Sequence, residues 1–136
     1  MAEKLRGVVL GWNLYLPDFP VKQARELISE FERIRPLFYG DYYPLTPHNT
    51  GDDVWMAYQF HREEMKRGMV LVFRRVESKD SSIVLRFCGL HPDGQYEATV
   101  EDTDVKQTFT GEVLSKGINV TIEDAPGSSL ITYCQV

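Results

Sequence analysis

Three histidines, two cysteines and the adjacent carboxylates Asp52 and Asp53 are the places where this chain could hold chemistry. Cys88-Gly89-Leu90-His91 has the two-residue gap of half a zinc site, but no second close pair completes a ligand set. The plainer reading is a sheet thiol followed by a turn histidine. The other histidines are His48 and His61. Asp52 and Asp53 adjoin, and neighbouring side chains of an extended segment point to opposite faces. They therefore start a strand rather than divide acid and base roles. No Gly-x-Ser-x-Gly turn presents a nucleophile, and neither cysteine has an activating signature around it. The glycines form no Gly-x-Gly-x-x-Gly or phosphate loop. The reading is of no catalytic set, no metal site and no cofactor.

Binding is the chemistry left. Tyr39, Tyr42, Tyr43 and Trp55 are the candidate carbohydrate-binding residues, because flat rings stack on sugars. The same rings also seal hydrophobic interfaces, which is the default for Trp12 as well. Asn119-Val120-Thr121 matches a glycosylation acceptor, a frequent chance match without meaning in a cytoplasmic protein.

The elements that must position these residues divide the chain in two. The first unit, residues 1–50, is an N-terminal arm. Gly7-Val8-Val9-Leu10-Gly11-Trp12 is short enough for a strand. Pro17-Asp18-Phe19-Pro20 then announces a helix with Asp18 as N-cap. Apolar residues at 21, 24, 27, 28, 31 and 34 have helical spacing, so an amphipathic helix is expected over 20–35, ended or kinked by Pro36. Residues 36–47 carry four aromatic residues and three prolines in twelve positions, which reads as an aromatic linker loop lying against something.

The second unit, residues 51–136, changes period. Strands are expected at 54–60, 68–75, 82–88, 96–101, 107–110, 118–122 and 129–134, separated by turn clusters such as Ser78-Lys79-Asp80-Ser81 and His91-Pro92-Asp93-Gly94. Ile118-Asn119-Val120-Thr121-Ile122 alternates strictly, so one face is buried and one is wet. A turn or single helical turn is expected at 112–116, with Gly117 where a left-handed C-cap would sit. The expected fold is mainly β: an antiparallel β-sandwich of about seven or eight strands preceded by one N-terminal amphipathic helix.

Composition agrees with that and removes other classes. The chain has 136 residues, 43% of them hydrophobic, the size and balance of one folded domain. A net charge of −5 argues against nucleic acid and against an anionic membrane surface as partners. No run approaches the roughly 18 apolar residues of a membrane span. Two cysteines cannot make a dense disulfide framework, so the chain reads as cytoplasmic, with a secreted bacterial protein left open.

A resemblance adds to this reading. Arg35-Pro36-Leu37-Phe38-Tyr39-Gly40-Asp41-Tyr42-Tyr43-Pro44-Leu45-Thr46-Pro47, followed by Asp52-Asp53-Val54-Trp55-Met56-Ala57-Tyr58-Gln59-Phe60, resembles the C-terminal region of α-galactosidase-like enzymes of glycoside hydrolase family 36. Gly68-Met69-Val70, Phe73-Arg74-Arg75, the 89–96 segment, Phe109-Thr110-Gly111 and Leu130-Ile131-Thr132-Tyr133 extend it more weakly. The resemblance implies that the helix at 20–35 is the last helix of a (β/α)8 barrel and that a C-terminal sandwich follows. It also implies a retaining mechanism with two carboxylates on barrel strands, and a chain of this length is too short to include a barrel of typically about 250 residues. The expected role is then a non-catalytic accessory domain bracing the barrel, with a carbohydrate-binding module as the alternative. The expected partners are that barrel and, through residues 5–45 of the arm, a second copy of the chain.

Overall fold

The computed structural model describes residues 12–136, and the strand expected at 7–12 falls almost wholly outside them. The apolar stripe does make a helix. α1 spans Val21–Ile34, and at Arg35 the chain tightens into a 3-10 turn, Arg35–Tyr39, with Pro36 in its first turn. Proline fits there because its missing N–H would have no partner in that position anyway. The expected cap is corrected: Pro20, not Asp18, occupies the N-cap position, and no side chain caps the helix. A proline before the first turn already fixes the chain direction, so the Asp18 carboxylate is not needed to start it.

The linker reading of 36–47 is corrected too. Residues Asp41–Pro44 form β1, paired antiparallel with β2, Trp55–Arg62. The prolines deceived because they forbid only a central strand; β1 lies at the sheet edge, where Pro44 need donate no bond on its outer side. The sheet thus crosses the boundary drawn at residue 50.

The remaining strands are β3 (Arg67–Arg74), β4 (Ser82–Leu85), β5 (Gln95–Val100), β6 (Val105–Thr110), β7 (Ile118–Thr121) and β8 (Gly127–Gln135). Six of them form one antiparallel sheet in the order β1-β2-β3-β8-β5-β6, and β4 pairs with β7 in a second. The chain is mainly β, a sandwich with one helical arm. β4 ends at Leu85, three residues short of the expected end, because Phe87 turns to bond the carbonyl of Leu114. That carbonyl belongs to α2, Gly111–Lys116, the helical turn expected at 112–116. Thr110 caps it by accepting from the Val113 N–H at 3.2 Å. Gly117 ends it at φ +123°, and a side chain there would meet Val84 Cγ1 at 2.7 Å.

The six-stranded sheet has an inner face toward β4 and β7 and an outer face under the arm. The inner core holds Trp55, Ala57, Val70, Val72, Ile131 and Tyr133 of the large sheet against Leu85, Leu114 and Val120. The outer core holds Phe60, Met69, Leu71 and Leu130 against Ile34, Leu37 and Phe38 of the arm. β3 is therefore buried on both faces, which is why its sequence reads Met69-Val70-Leu71-Val72-Phe73 without alternation. Arg33, at the end of α1, locks the arm down with two hydrogen bonds to Glu101, at 3.0 and 2.7 Å. Among the described residues no helix is long and apolar enough to cross a membrane.

Candidate functional site

The four candidate aromatic residues divide between the two faces. Tyr42 pairs with Phe60 and Tyr43 with Gln59, so the pleat sends Tyr42 outward and Tyr43 inward. Tyr39, at the end of the 3-10 turn, is 67% exposed, and Tyr42 is 55% exposed. The Tyr43 hydroxyl lies against Gly89. Trp55 is buried in the inner core, where its indole N–H donates to the Asp80 carbonyl at 3.3 Å.

On the outer face Tyr42 instead joins a diagonal aromatic row. Its ring centroid is 6.0 Å from that of Tyr58, and Tyr58 stacks on Phe73 at 5.9 Å. Tyr58 is partly buried, and that desolvation, with Tyr42 close by, holds its hydroxyl pKa above the ordinary tyrosine value. Tyr58 and Phe73 pack against the outer core under the arm and line the sheet next to Met56 and Val76.

The densest polar chemistry lies elsewhere, at one end of the inner face. Gln59 is fully buried, and its amide nitrogen donates to the Cys88 carbonyl at 2.8 Å and to the Tyr133 hydroxyl at 2.7 Å. Its amide oxygen accepts the Cys88 N–H at 2.8 Å. With both hydrogens of Gln59 spent, Tyr133 is left to donate to His61 Nδ1, 3.0 Å away. That assigns the remaining proton of a neutral His61 to Nε2, which donates to Glu63 at 3.0 Å. The other Glu63 oxygen lies 3.0 Å from His91 Nε2. The chain Cys88–Gln59–Tyr133–His61–Glu63–His91 thus ties β8, β2 and the turns at 63–65 and 88–91 together.

A tyrosine–histidine–glutamate row invites comparison with a relay that activates a nucleophile. The electrostatics point the other way. Burial drives the Tyr133 hydroxyl well above the usual tyrosine range, so the neutral phenol is favoured rather than the phenolate. Glu63 is held below the usual carboxylate range by its hydrogen bonds from His61 and His91. The row is a hydrogen-bonded strut. Gly68 makes room for it: a Cβ there would stand 2.1 Å from the Tyr133 hydroxyl oxygen.

His91, which the spacing from Cys88 marks, meets the Glu63 carboxylate at 3.0 Å. Among the described residues no group of three or more His, Cys, Asp or Glu side chains is placed to hold a metal ion. Cys88 and Cys134 are both free thiols. No sequence motif marks Gln59, Tyr133 or Glu63. A signal existed for Gln59 and His61: they share parity with Trp55 and Ala57, so they stand at core-facing positions of β2.

The sequence matches no family model and no curated protein. Solved structures with this fold do exist. The galactosidase domain of the α-galactosidase–sucrose kinase AgaSK superposes with a TM-score of 0.70 at 23% identity, covering 90% of this chain and 17% of that one. The α-galactosidase of Lactobacillus brevis gives 0.68 at 18% identity, covering 85% and 16%. A variant of the glycoside hydrolase family 36 α-galactosidase AgaA of Geobacillus stearothermophilus, in complex with stachyose, gives 0.69 at 19% identity, covering 90% and 17%. The chain therefore spans about one sixth of the length of these enzymes, and it shares the fold of that part of them. The resemblance read from its sequence is matched in three dimensions.

Proposed function

We propose that this chain is a non-catalytic accessory β-sandwich of an α-galactosidase-like glycoside hydrolase and that it braces a catalytic (β/α)8 barrel. The observation that carries the reading is the coverage: 90% of this chain corresponds to only 17% of an α-galactosidase chain. A (β/α)8 barrel of typically about 250 residues cannot be housed in a segment of this size. The interior polar groups support the same reading, because Gln59, Tyr133 and His61 are spent on one another. The arm supplies a surface for the barrel. Leu14, Tyr15, Leu16, Val21 and Leu27 are exposed there, around a groove walled by Trp12, Phe19 and Ala24. Leaving such side chains wet forgoes about 1.5–3 kcal/mol each, which a barrel surface would recover. The two free thiols support a cytoplasmic site of action.

Carbohydrate binding through Tyr39, Tyr42, Tyr43 and Trp55 is the weaker proposal, because Tyr43 and Trp55 face the inner side. The test has two arms. Purified chain with a chromogenic α-galactoside is expected to match the buffer blank, and turnover abolished by a point substitution in this chain would overturn the reading. The DNA upstream of the Met1 codon is expected to encode the barrel in frame; an unrelated upstream gene would remove the proposed partner.

A further inference from the structure

The large sheet has two edges, and they are built differently. β1 has four residues, stops at Pro44 and is followed by Pro47. Shortness, proline and charged side chains are the usual protections of an exposed edge, and of these β6 carries only the last, in Lys106. β6 has six residues, no proline, and an unbroken antiparallel register with β5 from Val105 to Thr110. Its first four residues are exposed. The strand order ends at β6, so the N–H and C=O groups on its outer side meet no other described strand. A row of this kind recognises one chemistry, the backbone of an added strand.

The side chains select the strand. In a two-fold antiparallel pair, opposed residues project from the same face, so a register is centred on a residue. Centred on Gln107, the pair sets Gln107 against its own copy, Val105 against the copy's Phe109 and Lys106 against the copy's Thr108. Centred on Lys106, it would set two ammonium groups face to face, which is destabilising. Centred on Thr108, it would lose the Val105–Phe109 contact. Lys106 already pairs with Glu97 at 3.2 Å within its own chain, so the Gln107 register leaves no uncompensated like charges across the seam. Val105, Gln107 and Phe109 also line an apolar cleft with Ala98, Ile118 and Ile131, where the small sheet stops short of β6. The two-fold pairing brings two such clefts together at the axis.

We propose that β6 is a homodimerisation edge, joining two copies of this chain into one continuous sheet with Gln107 on the two-fold axis. This does not depend on the accessory role. It uses a surface distinct from the arm.

The test is light scattering on the full chain at micromolar concentration. The wild type is expected at twice 15.7 kDa. Gln107→Lys and Gln107→Glu are each expected to fall to the monomer mass, because each sets like charges against one another at the axis. An equimolar mixture of the two is expected to recover the dimer mass, which also shows that both variants fold. A monomeric wild type, a Gln107→Lys variant that stays dimeric, or a mixture that fails to recover would each overturn the proposal. A dimer indifferent to Gln107 would assign association to another surface, such as the arm.

Discussion

The outer face of the large sheet is closed mainly by apolar packing, with Ile34, Leu37 and Phe38 laid on Phe60, Met69, Leu71 and Leu130. The inner face has a comparable apolar core, but its far end is closed by Gln59, His61 and Tyr133, each with a fixed partner. Apolar contacts tolerate small shifts, since any side chain of about the right volume stabilises them. Hydrogen-bonded contacts in a dry interior do not, since a donor moved out of reach costs its full desolvation. The arm is thus held mainly by area, with Arg33–Glu101 and the Arg62 donation to the Pro36 carbonyl as directional ties, while the inner end is held by geometry.

The sharpest way to break that contrast is Gly68→Val. Gly68 pairs with Tyr133 across β3 and β8, and a Cβ there would stand 2.1 Å from the Tyr133 hydroxyl oxygen and 2.6 Å from the Phe60 carbonyl oxygen. The carbonyl is backbone and cannot swing aside. The variant should lose about 4 kcal/mol or fail to fold, read as the urea midpoint. A loss under about 1 kcal/mol would mean that the inner end is loosely packed after all.

Two further substitutions compare the faces directly. Phe38→Ala empties the middle of the outer core and should cost about 3 kcal/mol, with the chain still folding cooperatively. Gln59→Leu keeps the volume but strands the Cys88 N–H and C=O and leaves Tyr133 without its donor. It should cost about 2 kcal/mol, and hydrogen exchange should quicken at the Cys88 amide while the amides of α1 keep their protection. Uniform loss of protection would show that the two faces unfold as one unit. Arg33→Ala should cost less, about 0.5–1 kcal/mol, and the cost should shrink in high salt, since Arg33 is half exposed.

The same contrast explains what the sequence disclosed. α1 was legible because its stripe obeys a single period, and seven strands were legible because turn clusters bracket them. β1 was not, since Pro44 excludes a strand only in the sheet interior and nothing local told an edge from a loop. The polar strut was legible only as parity. Gln59 and Tyr133 lie 74 positions apart, and only the register of β2, β3 and β8 brings them to 2.7 Å. The aromatic residues showed the same limit: composition marked the segment, but the pleat decided which ring faced out.

The smallest expected effect is a pH dependence written on the strut at both ends. Glu63 has its folded pKa below its unfolded value, because His61 and His91 donate to the carboxylate. Its contribution to stability is present above the unfolded value of about 4.5 and is lost as pH falls through the lower folded value. Tyr133 has its folded pKa above its unfolded value, because burial favours the neutral phenol. Its contribution is present below pH about 10 and is lost as pH rises beyond that, when the unfolded chain can release a proton that the folded chain retains. A plot of melting temperature against pH should therefore bend downward in acid and again in alkali. Glu63→Gln should flatten part of the acid bend and leave the alkaline one, because Glu63 is exposed and Tyr133 keeps its burial. An alkaline bend that moved with Glu63→Gln would mean that the two ends titrate through one another across His61, and the strut would then act as a single coupled unit rather than as one exposed and one buried tie.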